Sequence, residues 1–373
     1  MKTIHIRGNG VPLRKKWRAC VGAGSAAKGL RADWQRQLGM AVQQCGFERA
    51  RIHGWHMLDL ADEKETDALC DFLTDLGIAP IVRLDDRGKS ENLESFSRHI
   101  IARYGARRAH KWRFEIPMNK SFEPRATHLK NTDRSLSVGV VTSASKLGRP
   151  PPAADSVVVA GVADDDELKR VRDTLDALEV EKTVHWDGVS SVHAPENGLS
   201  DAIALTRRYL SGGLPVDSLS LVSFSGMCGA GAYLVDDWGV RQPSGHACRM
   251  MDTLGAEELD RGRGYIITRD GQGCARALAW TDADGGDEIE LAGMPPCARF
   301  MIETLDAAHG WAYPVWRQMG CPKSLSRYQA QALRQAALRT GVEWVRADGD
   351  GRLRLRGPVD EDRIVLVKEV GCM

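Results

Sequence analysis

Between residues 16 and 254 the chain alternates short apolar runs with longer amphipathic runs. Ala32–Cys45 carries its apolar side chains at helical spacing, and Arg49–His53 follows with the length of a strand. Parallel strands need a long crossover, usually a helix, so this alternation is typical of strand–helix units on a parallel sheet. About eight such units fit in this stretch, and eight units close a barrel. The sequence therefore predicts an α/β fold, a (β/α)8 TIM barrel.

The other units are predicted from the same alternation. We expect helices at 66–76, 93–104, 167–178 and 199–210. We expect strands near Cys20 and at 79–84, 111–116, 135–141, 156–162, 182–186 and 218–224. Between the strands at 111–116 and 135–141, residues 121–127 are expected to form a loop.

Beyond residue 254 the period of the pattern changes. Runs at 265–269 and 275–280 flank Asp270-Gly271, and runs at 342–346 and 353–356 flank residues 348–351. Both arrangements are hairpin signatures, and a helix is predicted at 326–338 among these strands. A β-sandwich following the barrel is the simplest assembly. We expect the barrel at 14–245 and the sandwich at 1–13 and 246–373.

Composition excludes some classes of function. The chain has 51 Lys and Arg against 50 Asp and Glu, so it has no global field that would attract nucleic acid or a membrane surface. Its amino-terminal stretch lacks an apolar run long enough for a signal peptide or a spanning helix, which predicts a cytoplasmic protein. The nine cysteines are scattered singly, so we expect mostly buried, reduced thiols.

Several ordered strings then resemble one known family. The strings are 20–24 (CVGAG), 30–34 (LRADW), 45–47 (CGF), 51–54 (RIHG), 309–313 (HGWAY) and 316–320 (WRQMG). Together they resemble glycoside hydrolase family 39, the β-xylosidase and α-L-iduronidase family, over nearly the whole chain. The resemblance implies a TIM barrel with its active site at the carboxyl ends of the strands.

The resemblance also locates the two catalytic carboxyl groups that a retaining glycosidase needs. The family's acid/base belongs to an Asn-Glu-Pro motif after strand four. Matching Trp112, Phe114 and Glu115 to that lead puts Asn119 at the acid/base position. An amide has no acidic proton to deliver, so Asn119 is not expected to act as the acid.

The family's nucleophile belongs to a Thr-Glu-Trp motif that ends strand seven. Residues 183–187 (TVHWD) resemble it, and aligning Trp186 puts His185 at the nucleophile position. An imidazole reverses the charge pattern opposite an oxocarbenium-like centre. The family's His-x-Tyr pair on strand six corresponds to Ala160 and Val162, so polar groups that would hold the sugar are also replaced.

The remaining candidates lie near the predicted barrel mouth. Ligand-binding candidates are His53, Trp55, His56, Glu123, Trp186 and Asp187. The three histidines at 53, 56 and 185 are the residue type that zinc or iron prefers, but no carboxylate is fixed beside them, and neither a metal nor a cofactor is predicted. Glu115 lies about 13 Å below Asn119 along its strand and is expected to be a buried carboxylate paired with Arg51 or Arg83.

Three functional hypotheses follow. The leading one is a pseudo-glycosidase that keeps the pocket and binds a carbohydrate-like small molecule or a protein partner. The second is a repurposed enzyme on the same barrel, with His185 as general base. The third is a β-xylosidase-like glycosidase whose carboxylates have moved to Asp187 and Glu123. No nucleic-acid or membrane partner is expected, and association into a homo-oligomer is left open.

Overall fold

The computed structural model describes residues 2–55, 63–85, 90–161, 164–188, 195–210, 212–220, 223–225, 233–282, 288–356 and 361–371. The chain forms two compact units. One contains Lys16–Ser191 and Gly212–Ser225, and the other contains Met1–Lys15, Val192–Ser211 and Gly226–Met373.

The strands are numbered in chain order. They are β1 Lys2–His5, β2 Val11–Pro12, β3 Val21–Ser25, β4 Arg49–His53, β5 Ala79–Arg83, β6 Arg113–Pro117, β7 Ser137–Thr142, β8 Ser156–Ala160, β9 Thr183–Asp187, β10 Ser218–Leu219, β11 Ser223–Ser225, β12 Tyr233–Val235, β13 Glu257–Gly262, β14 Tyr265–Arg269, β15 Ala275–Trp280, β16 Glu288–Ala292, β17 Arg299–Leu305, β18 Gly341–Arg346, β19 Leu353–Arg356 and β20 Ile364–Val370.

The helices are numbered in the same way. They are α1 Ala26–Gly29, α2 Ala32–Cys45, α3 Glu63–Asp75, α4 Ser90–Tyr104, α5 Ala106–Ala109, α6 Phe122–Thr132, α7 Asp165–Ala177, α8 Gly198–Leu210, α9 Pro243–Asp252, α10 Tyr313–Gln318 and α11 Arg327–Leu338. Among the helices of the described residues, none is both long enough and apolar enough to cross a membrane.

The parallel strands of the first unit form the predicted TIM barrel. Strands β3 to β9 pair in chain order, and β10 pairs with β9. Four residues after β10, strand β11 pairs with β3, so the eighth strand position joins the seventh strand to the first. The eight-fold alternation of the sequence is thereby confirmed as a barrel with parallel strands.

Local sequence signals set the ends of several barrel elements. Helix α2 ends at Gly46, whose φ of 66° is left-handed and whose N–H donates to the carbonyl of Val42. Helix α7 begins at Asp164, whose carboxylate accepts from the N–H of Glu167 in a reciprocal capping box. The Gly46 cap explains why the predicted and observed ends of α2 agree.

The connection after β6 differs from the prediction. Residues 121–127, expected as a loop, contain the first turns of helix α6. Its buried side chains Phe122, Ala126 and Leu129 recur at intervals of three and four residues, which is the period of one helical face. The sequence does not readily predict this helix, because Pro124 and the charged residues around it obscure the helical period of the apolar side chains.

The second unit contains the predicted β-sandwich. Its larger sheet has the order β18-β17-β20-β15-β14-β13-β2, and its smaller sheet has the order β1-β16-β19. A buried core that includes Ile4, Leu291, Phe300 and Leu353 draws its side chains from both sheets. Cross-sheet apolar packing of this kind is what stabilises a sandwich.

Of the two predicted hairpins, one is confirmed and one is wrong. Strands β14 and β15 pair across the turn at Asp270. Strands β18 and β19 do not pair with each other, because β18 pairs with β17 in one sheet and β19 pairs with β16 in the other. The turn at 348–351 exists, but it carries the chain from one sheet to the other. Turn residues report a reversal of direction and leave the pairing partner unspecified.

The cysteines follow the expectation of buried, reduced thiols in part. Four of the described cysteines are buried and form no disulfide, namely Cys20, Cys45, Cys70 and Cys248. Cys297 and Cys321 are free and exposed. Cys274 is disulfide-bonded, and its partner lies outside the described residues. The expectation of unpaired thiols is therefore wrong for Cys274, because spacing along the sequence does not report which cysteines meet in the fold.

Candidate functional site

A network of charged side chains occupies the interior of the barrel. Its centre is Glu115 on β6, which has no exposed surface. The carboxylate accepts from Arg51 at 2.8 and 3.1 Å, from Nε of Arg83 at 2.7 Å and from Nε of Arg113 at 3.1 Å. The prediction that Glu115 is a buried carboxylate paired with Arg51 or Arg83 is confirmed, and Arg113 is a third partner.

Asp187 at the end of β9 belongs to the same network. Its Oδ1 accepts from Nη1 of Arg51 at 2.7 Å, and its Oδ2 accepts from Nη2 of Arg83 at 2.7 Å. Both guanidinium groups therefore bridge Asp187 to Glu115. The side chain of Asp187 is 18% exposed, while that of Glu115 is closed to solvent, so the network ends at Asp187 on its accessible side.

The charges in this network control the ionisation of its members. Burial alone would raise the pKa of Glu115, but the positive charges of Arg51, Arg83 and Arg113 hold it well below its ordinary value. Burial lowers the pKa of Arg113, and the adjacent Glu115 opposes that shift. Both Glu115 and its arginine partners are therefore charged, and the bonds among them are charge-assisted.

His185 lies on the same strand as Asp187, two residues nearer its start. Its Nδ1 is 2.6 Å from the hydroxyl of Ser218 on β10, and its Nε2 is 3.4 Å from the hydroxyl of Thr183. Burial, with the positive charges of Arg113 and Arg51, lowers the pKa of His185 to about 3. The imidazole is therefore neutral at physiological pH.

Asn119 lies in the loop that joins β6 to α6. Its side-chain oxygen accepts from the N–H of Ser121 at 2.8 Å and from the hydroxyl of Ser121 at 2.7 Å. This is the Asx arrangement that commonly precedes a helix. Strand β6 pairs with β7, β7 with β8, and β8 with β9. Following these pairings residue by residue places Pro117 level with His185 in the sheet. Asn119 therefore lies two residues beyond the row of His185, towards the carboxyl edge.

The remaining candidates lie in different environments. His53 is exposed at the end of β4, and partial loss of hydration together with the charge of Arg83 lowers its pKa. Trp55 is buried against Phe96, with ring centroids 5.8 Å apart, and its indole N–H donates to the carbonyl of Ile52. His56 lies outside the described residues.

Trp186 and Glu123 complete the candidates. Trp186 is 5% exposed, and its indole N–H donates to the carbonyl of Gly161, so its role in this conformation is packing. Glu123 is exposed in the first turn of α6, and its expected position on a loop that folds back is wrong. In the first turn it faces the positive end of the helix dipole, which accounts for a carboxylate there.

Two members of the site were missed from the sequence. Arg113 and Ser218 both point into the barrel, where Arg113 contacts Glu115 and Ser218 contacts His185. The signal that would have found Arg113 is the alternation of strand side chains, because Arg113 and Glu115 are two residues apart on one strand. Within the described residues, no group of three or more His, Cys, Asp and Glu side chains is arranged to hold a metal ion.

Comparison with known proteins gives consistent matches. Residues 3–90 match the family model for glycosyl hydrolases family 39. The β-xylosidase of Caldicellulosiruptor saccharolyticus is 22% identical, covering 87% of this chain and 89% of the relative. The β-xylosidase of Geobacillus stearothermophilus is also 22% identical, covering 99% of this chain and 95% of the relative.

Solved structures show the same fold. A GH39 enzyme from Xanthomonas axonopodis pv. citri superposes with a TM-score of 0.80 at 19% identity, covering 98% of this chain and 96% of that chain. A GH39 β-xylosidase from Caulobacter crescentus superposes with a TM-score of 0.79 at 19% identity, covering 98% of this chain and 99% of that chain. In sequence and in fold, this chain is therefore similar to members of glycoside hydrolase family 39.

Proposed function

We propose that this family 39-like chain has lost retaining glycoside hydrolysis and binds a carbohydrate-like ligand at the mouth of its barrel. The proposal is supported by the pair of side chains at the two positions that the family resemblance predicts to be catalytic. Asn119 is held in a turn by Ser121, and His185 is a neutral imidazole held by Ser218. Neither position supplies the carboxyl group that the retaining mechanism requires.

The chemistry of each position supports this loss. The amide of Asn119 has no proton of suitable acidity for a leaving oxygen, and its acceptor oxygen already takes two bonds from Ser121. His185 has no negative charge to offer an oxocarbenium-like centre. Replacing two carboxyl groups by neutral side chains removes both the proton donor and the nucleophile while the barrel remains folded.

The same pKa argues against His185 as the base of a repurposed enzyme. A general base works best when its pKa is near the working pH, and a pKa of about 3 leaves the imidazole weakly basic at pH 7. Its Nδ1 is also engaged by Ser218. Binding of a carbohydrate requires neither a basic imidazole nor an Nδ1 that is available to a substrate.

One observation favours a second candidate, a glycosidase with a relocated nucleophile. Asp187 is a partly exposed carboxylate at the carboxyl end of its strand, and Arg51 and Arg83 fix both of its oxygens. A carboxylate held in a fixed orientation at this edge is a feature that a nucleophile needs. The same two ion pairs reduce its capacity to attack, and Glu123, the acid in this scheme, is an exposed residue of α6.

Hydrolysis of aryl β-xylosides by the purified chain separates the two candidates. We expect no turnover in the range of about 1–10³ per second that is typical of enzymes. The Asp187→Asn variant should match the wild type at this background level. Turnover in the wild type that is abolished in Asp187→Asn would overturn the proposal in favour of the relocated nucleophile, and turnover that survives in Asp187→Asn would overturn both.

Binding is tested separately from hydrolysis. Calorimetric titration with xylose, xylobiose and other neutral saccharides should show binding that is weakened at least tenfold by His53→Ala, a change at the carboxyl edge of β4. The matched control is Glu48→Gln, because Glu48 precedes β4 at the opposite end of the barrel. Equal affinity in all three proteins, or no binding of any saccharide, would contradict a ligand site at the barrel mouth.

A further inference from the structure

A groove at one end of the sandwich is large enough to hold a small molecule. Its volume is about 800 Å³, within the range of about 300–1,000 Å³ that is usual for small-molecule sites. All of its lining residues belong to the second unit. They come from the segment after β1, the starts of β13 and β17, the ends of β14 and β20, and the loop after β16.

Charged side chains dominate the polar lining of this groove. Three arginines and three carboxylates line it, namely Arg7, Arg269, Arg299, Glu257, Asp270 and Glu369. Among the described residues of the lining, none carries an aromatic ring. The groove therefore offers charge to a ligand and no ring on which a sugar could stack.

The three carboxylates of the groove already have partners. Glu257 accepts from Nε and Nη2 of Arg269, which also donates to two main-chain carbonyls. Asp270 accepts from Arg276 at 2.8 Å. Glu369 is 5% exposed, and its Oε2 accepts from a main-chain N–H at 2.9 Å. These contacts use the negative charge of the lining within the protein.

The guanidinium groups of Arg7 and Arg299 are not used in this way. Within the described ranges of the chain, neither group makes a hydrogen bond or an ion pair, and both side chains are exposed. A Cβ added at Gly371 would lie 3.9 Å from Nη2 of Arg299, which places this guanidinium beside the main chain of the groove wall. Two positive charges in the lining thus lack a counter-charge.

The residue opposite Arg299 adds a further positive charge. The register of β17 and β18 pairs Arg299 with Arg346, which likewise makes no hydrogen bond or ion pair with any described residue. Residues directly opposite have Cβ atoms about 4.5–5.5 Å apart, and like charges in such a pair are destabilising. An anion bound between the strands and the groove would offset this repulsion.

We propose that the groove binds a tetrahedral oxyanion, a phosphate or sulfate group that is either free or part of a small molecule. Guanidinium groups bind such oxygens through paired N–H donors. A dianion would match the two unneutralised charges of Arg7 and Arg299, whereas a single carboxylate would match one. The volume of the groove leaves room for a sugar-sized group attached to the anion.

Calorimetric titration in a chloride buffer tests the site. Inorganic sulfate, inorganic phosphate and glucose 6-phosphate should bind in competition with one another, and glucose should displace none of them. Arg7→Gln and Arg299→Gln should each weaken this binding about tenfold or more, because each loses a charge-assisted contact. The matched control is Arg339→Gln, which removes an exposed arginine that follows α11 and lies outside the groove lining.

Glucose 6-phosphate distinguishes a free ion from an ester as the occupant. Affinity above that of inorganic phosphate would support an ester whose sugar contacts the groove. Affinity equal to or below that of phosphate would support the free ion. Both results support an oxyanion site, whereas displacement of phosphate by glucose would overturn it, because recognition would then not depend on the anion.

Thermal melting tests the like-charge pair independently. Without multivalent anions, Arg346→Gln should melt at or above the temperature of the wild type, because the substitution removes a repulsion. Sulfate stabilises most proteins through its exclusion from their surfaces. The measurement is therefore the difference between two proteins: the wild type should gain more from sulfate than Arg299→Gln gains, since specific binding adds to stability.

The outcomes that would overturn the proposal are specific. They are no binding of sulfate or phosphate, equal affinity in the wild type and in folded Arg7→Gln and Arg299→Gln, or equal gains from sulfate in the melting comparison. Circular dichroism establishes that each variant is folded. The groove and the barrel mouth belong to different units, so a failure here is distinguishable from a failure of saccharide binding at the barrel mouth.

Discussion

Arg51 and Asp187 are joined by a 2.7 Å bond that crosses the interior of the barrel, since β4 and β9 are not neighbours in the sheet. The same guanidinium group holds Glu115 of β6 through Nε and Nη2. One side chain thus connects three strands. Because Glu115 has no access to water, no solvent molecule can replace a hydrogen-bond partner that this carboxylate loses.

Replacing Arg51 with Met is therefore expected to destabilise the chain strongly. Removing one partner of a buried charge costs about 3–5 kcal/mol, since the remaining carboxylate is left with less compensation. Urea denaturation measures the loss. The matched control is Arg31→Met, which breaks the exposed pair with Asp33 and should cost about 1 kcal/mol or less. Equal losses in the two variants would contradict a structural role for the network.

The burial of Glu115 was predictable from sequence, whereas its full set of partners was not. Alternation along β6 places Glu115 and Arg113 on one face, and the distance from the strand end places Glu115 below the mouth. The bonds from Arg51 and Arg83 depend on which strands face each other across the closed barrel. That relation is set by closure of the sheet, which no local pattern contains.

Strand β18, at one edge of the larger sheet of the sandwich, also has features that the local sequence predicts and others that it does not. The bounds of β18 and β19 were predicted closely because both strands have local β-propensity and a turn between them. Their pairing was predicted wrongly because a hairpin and a crossing between sheets share the same turn signal. The exposure of Trp344 depends on β18 being an edge, so it followed only from the sheet order.

His246 in α9 is expected to make the chain sensitive to acid. Its Nε2 lies 2.7 Å from the carbonyl of Ala337, and its side chain is 1% exposed. Burial, together with the charge of Arg241, lowers its pKa from 6.5 to about 3. A lowered pKa means that the folded state resists protonation, so the stability is complete above pH 6.5 and is lost as the pH falls towards 3.

The variant His246→Gln isolates this contribution, because an amide can still donate to the carbonyl of Ala337 and does not titrate. Between pH 6.5 and 4, the wild type should lose about 1.4 kcal/mol per pH unit more than the variant. Urea denaturation at a series of pH values provides the comparison. Parallel pH profiles in the two proteins would contradict a buried neutral imidazole.

Asp236 is expected to act in the opposite direction. Burial, with a contribution from Asp237, raises its pKa from 3.8 to about 6, although its Oδ1 accepts from the N–H groups of Trp238 and Val240. A raised pKa means that its contribution is fully present below pH 4 and is lost as the pH rises through 6. The carboxylate therefore weakens the folded state at neutral pH.

The Asp236→Asn variant should accordingly be more stable than the wild type at pH 7.5 (about 1 kcal/mol, since solvent screens a partly exposed group). The amide oxygen can keep both main-chain bonds, so the turn is expected to persist. At pH 4 the advantage should disappear, because the wild-type side chain is then largely protonated. Thermal melting at both pH values checks this, and an equal difference at the two would refute it.

Gly255 is a position where the sandwich leaves no room for a larger residue. A Cβ at this site would lie 2.1 Å from the carbonyl oxygen of Arg269 and 2.2 Å from its carbon, both main-chain atoms of β14. The N–H of Gly255 also donates to the hydroxyl of Thr268 at 2.8 Å, which fixes the approach. Gly255→Ala should cost about 1–3 kcal/mol or more, because the strand itself must move. Gly271→Ala is the matched control, since its Cβ would meet no atom within 4 Å, and a melting temperature lowered equally by both substitutions would show that close packing at Gly255 is not the cause.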